Sequence, residues 1–96
     1  MKAIPALSDR EPIRKKQVQA RAAAFVRLKI SSSEYLRISG LSYPLRLEAA
    51  VGYAATRASA LVATGLDQGA AMKTAAWDAA TALGVRRTAL IMMLRA

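Results

Sequence analysis

The sequence predicts a small all-α domain of four to five helices. Three observations carry that expectation. Apolar residues recur at three- and four-residue spacing along most of the chain, as the buried face of a helix requires. Residues that start helices (Ser31, Pro44, Asp67) alternate with glycines that stop them (Gly40, Gly65, Gly84). The chain is 54% hydrophobic but only 5% aromatic, and much of the rest is alanine, which suits helices packed closely over small side chains.

A length of 96 residues suits a single domain over residues 1–96. A domain this small buries only part of its surface, so a homodimer or other homo-oligomer is expected. Residues 1–9 read as a flexible arm, bracketed by Pro5 and Pro12, neither of which fits a helix interior. Residues 10–30 read as a basic helix. Asp9 can cap it, Glu11 complements its dipole, and Pro12 suits its first turn. Val18, Ala22, Phe25 and Leu28 fall on one broad face, which Arg21 interrupts. Residues 25–30 also alternate as a short strand would, with Phe25, Arg27 and Lys29 opposite Val26, Leu28 and Ile30. A strand followed by a helix is similar to the arm of ribbon-helix-helix repressors, and both readings stand at this point.

Residues 31–64 hold the central helices. Ser31-Ser32-Ser33-Glu34 is a capping-box sequence that opens a short helix, which Gly40 ends. Pro44 suits the first turn of a longer one. Leu47, Val51, Ala54, Ala58, Leu61 and Val62 give that helix a continuous apolar stripe, with Arg46, Tyr53 and Arg57 along one flank. Gly65 closes it and Asp67 can cap the next. Residues 68–83 place Met72, Ala76, Ala79 and Leu83 on one face. Trp77 lies off that face, as a second core contact or a dimer contact. Gly84 breaks the helix, and residues 86–95 form a short last one.

Fifteen lysines and arginines face six acids, for a net charge of +9. The partners that such an excess favours are nucleic acid, an anionic membrane surface or an acidic protein. Arg10, Arg14, Lys15, Lys16, Arg21, Arg27 and Lys29 load the first helix against the single acid Glu11.

There is no cysteine and no histidine. Disulfides, thiolate zinc sites, Ser-His-Asp triads and histidine acid–base chemistry are therefore excluded. The absence of disulfides fits a reducing compartment, and a cytoplasmic location is expected. The start of the chain has no long apolar run and does not read as a secretory signal. The most apolar stretch, residues 49–66, carries Arg57 at its centre. A central arginine costs a spanning helix about 2.5–3.5 kcal/mol, which alanines do not offset, so no membrane partner is expected. Glu34 and Glu48 each have a helical role available, and Gly65 and Gly69 lack the strand, lysine and spacing of a phosphate loop. The reading is a non-enzyme without catalytic residue, metal or cofactor.

The most specific feature is residues 79–94, which fit a helix-turn-helix unit within residues 67–96. Ala80 supplies the small residue where the second helix crosses the first. Gly84 tolerates the positive φ of a sharp turn. Val85 plugs the turn, and Leu90 with Met93 or Leu94 packs the second helix back. This stretch resembles the C-terminal helix-turn-helix of Fis-type bacterial DNA-binding proteins, whose pattern Leu-Gly-(Ile/Val)-x-Arg-x-x-Leu-x-x-x-Leu is met by Leu83, Gly84, Val85, Arg87, Leu90 and Leu94. The resemblance covers roughly the last quarter of the chain. It implies a bacterial, phage or plasmid regulator that sets its last helix in the major groove of double-stranded DNA. Arg86, Arg87 and Thr88 would meet base edges and Arg95 a phosphate, while Arg14, Lys15, Lys16 and Arg21 would form a phosphate-binding arm. The pattern departs after Leu90: Ile91, Met92 and Met93 stand where family members usually carry polar or basic residues.

That departure motivates the alternative. A helical interaction protein (a subunit, adaptor or inhibitor) would bind a protein or nucleoprotein partner through Ile91, Met92, Met93 and Trp77.

Overall fold

Alanines four residues apart on facing helices leave room for two backbones to approach closely, and the fold is organised around such a seam. The computed structural model describes residue 16 and residues 18–96. Five helices appear there: α1 (residues 18–28), α2 (Ser32–Ser39), α3 (Tyr43–Ala63), α4 (Gln68–Leu83) and α5 (Arg87–Arg95). Among the described residues there is no strand. The arm expected at residues 1–9 lies outside them.

α3 buries Ala50, Ala54 and Ala58, and α4 buries Ala71, Ala75, Ala79 and Ala82. This α3–α4 hairpin is the main body; α5 packs on both of its helices, and α2 touches both. Among the described residues, two large side chains are fully buried, Ile38 of α2 and Leu90 of α5. They lock the two short helices to the hairpin. The stripe expected on α3 is partly displaced. Ala54 and Ala58 are buried, Leu47, Val51 and Leu61 are half-buried, and Val62 is 43% exposed. The seam selects the small side chains, so the larger ones are left at its margins.

The ends of the helices follow side-chain chemistry. The Ser31 hydroxyl accepts from the Glu34 amide at 3.2 Å, which is half of a capping box. The Glu34 carboxylate turns instead to the Arg37 guanidinium, which grips both its oxygens. The Asp67 carboxylate caps α4 by accepting from the Ala70 amide at 3.1 Å. Gly65, at φ 101°, closes α3 with its own amide on Val62 and that of Leu66 on Leu61, the Schellman pattern. Gly40 ends α2 at φ −84°, so no left-handed turn is needed there.

The two expectations for the first helix are corrected. Residues 25–28 are helical, and the Ile30 amide donates to the Phe25 carbonyl to close the end, so the strand alternative fails. A strand would set Val26 beside Leu28 in the core, but Val26 is 77% exposed. The buried face is also different. Ala24 and Leu28 are buried and Phe25 is half-buried, whereas Val18 is 64% exposed and Ala22 is exposed. The buried side chains of α1 lie in its C-terminal half, where Phe25 sets its ring edge-on to Tyr35 at 4.6 Å. Among the described residues, no helix is long and apolar enough to cross a membrane.

Candidate nucleic-acid interface

The last two helices, α4 and α5, are joined by a short turn at Gly84. Gly84 takes φ 67°, a left-handed conformation that suits glycine, and its amide donates to the Ala80 carbonyl at 3.0 Å. Val85 is 7% exposed and fills the turn from within. Leu90 is fully buried and Leu94 half-buried, so Leu94, and not the 39%-exposed Met93, completes the packing of α5. A contact not read from the sequence fixes the start of the helix. The Tyr43 hydroxyl, 43 residues away, accepts the Arg86 amide at 3.0 Å. The Arg46 guanidinium sits over the Tyr43 ring at 5.5 Å and so steadies the phenol.

Arg86, Arg87 and Thr88 are all exposed at the start of α5. No side chain caps this helix, so its first amides remain available as donors. Arg87 stacks over the ring of Trp77 with 4.5 Å between the guanidinium carbon and the ring centroid. Trp77 is 56% exposed, so it is not the second core contact that was one of its two expected roles. Its ring, with Ala80, Thr81 and Val85 on one side and Arg86–Thr88 on the other, lines an open groove of about 430 Å³. Thr88, Met92 and Arg95 recur at helical spacing and are all exposed, so they share the outward face of α5. Met92 is 72% exposed, while Ile91 is half-buried.

The other basic residues divide. Lys16 and Arg21 are exposed on or near α1, and Arg14 and Lys15 lie outside the described residues. Arg21 shares a small cleft of about 120 Å³ with Tyr35, Arg46 and Gly84, so part of the charge of α1 reaches the back of the turn. Arg27 and Arg57 point inward. Both converge on Asp78 of α4, which is 2% exposed. The Arg27 Nε donates to Asp78 Oδ1 at 2.9 Å, and the Arg57 Nε stands 3.7 Å from Oδ2. Arg37 is held by Glu34, and this pairing lowers the Glu34 carboxyl below its ordinary value. Among the described residues, no acid pairs with Arg86, Arg87 or Arg95.

Such an arrangement offers hydrogen-bond donors and positive charge on a helix end. Among the described residues, no group of three or more acids lies close enough to hold a metal ion. Comparison with known protein families, curated proteins and solved structures finds no match to this chain.

Proposed function

We propose that the protein is a small DNA-binding regulator that sets the start of α5 in the major groove. The observation that carries this reading is the exposed trio Arg86, Arg87 and Thr88, met by no acid among the described residues, at the head of a helix launched from a left-handed glycine turn. Arginine can donate two hydrogen bonds to one guanine edge, and threonine can meet a phosphate or a thymine methyl. Met92, one turn further on the same face, gives a second apolar contact for thymine methyls. The uncapped α5 amides suit a backbone phosphate. Lys16 and Arg21 would add phosphate contacts without base selectivity, with Arg14 and Lys15 assigned the same part from the sequence. Binding as a homodimer would place two such helices on successive half-sites. A role on DNA is in keeping with a cytoplasmic, bacterial or phage setting.

The test is a titration of wild type and Arg87→Ala on duplexes of differing sequence at several salt concentrations. The expected outcome is a preferred sequence for wild type and an affinity loss of about 1–3 kcal/mol on that sequence for the variant. Equal binding of wild type to all duplexes would sink the reading, as would an Arg87→Ala variant that retains full preference.

The exposure of Met92 and Trp77 favours a second reading, a helical interaction protein. Under that reading, DNA would show no preference, and Met92→Asp would abolish capture of a protein partner while leaving the fold intact.

A further inference from the structure

The stack between Trp77 and Arg87 links the two helices of the unit at its most exposed point. It joins a helix fixed in the core to the residue best placed to read a base. Trp77 stands on α4 between Ala76 and Asp78, both buried, so its backbone is anchored. Its ring nevertheless faces solvent over more than half its surface, at 56% exposure. A large apolar ring left in water beside a groove needs a reason, and the core does not supply one.

The geometry supplies it. The Arg87 guanidinium carbon lies 4.5 Å from the Trp77 ring centroid, within cation–π reach, a contact that a guanidinium can make through its flat face. The five N–H bonds of arginine lie in the guanidinium plane, so stacking leaves the donating edges free. A free arginine side chain has many rotamers and loses that freedom when it grips a base. Held on Trp77, Arg87 has already lost much of it. Tyr43 acts on the same helix start by accepting the Arg86 amide. The head of α5 is thus fixed at its backbone by α3 and at its key side chain by α4.

We infer that Trp77 is a positioning residue, which presents the N–H edge of Arg87 to the O6 and N7 acceptors of one guanine. The inference rests on the DNA-binding reading and deepens it, by naming the base and the residue that orients its reader. It assigns no direct base contact to Trp77. It also sets apart Arg87 from Arg86, which has no such platform and serves a phosphate or a neighbouring base.

The experiment is a double-mutant cycle on a duplex selected by wild type from a random pool. Trp77→Ala is expected to weaken binding to that duplex about two- to fivefold, the scale of an exposed cation–π contact. Arg87→Ala is expected to weaken it about tenfold or more. In the Arg87→Ala background, Trp77→Ala should have no further effect, because its influence runs through Arg87. Trp77→Phe should restore most of the affinity, as a smaller ring still offers a face. Replacing one guanine of the site by 7-deazaguanine, which lacks the N7 acceptor, should penalise wild type and leave Arg87→Ala indifferent. The salt dependence should stay the same in the Trp77 variants, since no phosphate contact is removed. Additive losses in the cycle would overturn the inference, because Trp77 would then act on DNA or on the fold directly. So would an unchanged affinity for Trp77→Ala. Failure to select any preferred duplex would instead remove the DNA-binding reading itself. Matched helical content and thermal midpoints of the variants, expected from the exposure of the ring, separate an effect on Arg87 from an effect on folding.

Discussion

Two pairs of arginines in this molecule do opposite things. Arg27 and Arg57 converge on the buried carboxylate of Asp78 and tie α1 and α3 to α4. Arg86 and Arg87 stand at the head of α5, where no acid among the described residues meets them. The residue type and the charge are the same, and the presence of a carboxylate decides the outcome. A basic composition therefore does not mark a binding surface by itself. The surface is what remains after the internal acids have taken their share, and with only six acids in the chain most of the positive charge remains.

The largest effect should come from breaking the inner pair. Asp78→Ala leaves two cations facing each other beside the core. Removing one partner of a buried ion pair costs about 3–5 kcal/mol. Arg27 and Arg57 keep 41% and 25% of their side-chain surface in water, so screening places the loss near the bottom of that range, about 3 kcal/mol. Denaturant unfolding monitored by helical circular dichroism checks it. A loss below about 1 kcal/mol would erase the distinction between the two arginine pairs. The outer pair should behave in reverse. Arg86→Ala and Arg87→Ala should change stability by no more than about 0.5 kcal/mol, as surface substitutions do. Their effect should fall on DNA affinity, at about 1–3 kcal/mol each on the preferred site.

Gly84→Ala probes what holds the outer pair in place. At φ 67° a Cβ is strained even though open space surrounds it, and the expected cost is about 1 kcal/mol. If the turn sets the aim of α5, sequence preference should drop further than stability does, as binding curves on preferred and scrambled duplexes would reveal.

The smallest effect concerns Glu34, whose pair with Arg37 is exposed. Arg37 lowers the Glu34 carboxyl below its ordinary value of 4.5. The stabilisation is therefore fully present above that value, and is lost as the pH falls through the lower folded-state value. Thermal midpoints of wild type should fall slightly more steeply than those of Glu34→Gln on acidification below about pH 5. Parallel curves would mean that the surface pair contributes nothing measurable.

The sequence made the punctuation legible. Asp67, Gly65 and Gly84 each perform the role that their chemistry suggests, because capping and left-handed turns are local events. The break between α4 and α5 was legible for the same reason, since Leu83, Gly84 and Val85 mark it within one short stretch. What was not legible depended on partners distant along the chain. Nothing local marks Asp78 as a buried acid; its meaning comes from Arg27, 51 residues earlier. The Tyr43 hydroxyl on the Arg86 amide was hidden in the same way. The buried face of α1 was misread because Val18 and Ala22 fit a helical stripe, although only the last turns of the helix have a body to pack against. On α3, counting large apolar residues put Leu47 and Val62 on the buried stripe and passed over Ala50, which is fully buried. A seam of alanines is read correctly only once its partner helix is known.

The exposure of Trp77 has a consequence for how this protein can be watched. It is the one tryptophan in the chain, so the whole indole emission arises from a single point on the α4–α5 groove. A ring that is 56% exposed should emit toward the red already in the folded state, with the adjacent guanidinium modulating its brightness. Global unfolding will then shift its colour little, whereas release of Arg87 from its face will change its intensity. Fluorescence and helical dichroism become separate channels in the same cuvette. One follows the head of α5 and the other follows the alanine seam, and a gap between their transitions on heating would measure how far the α5 head loosens before the seam gives way.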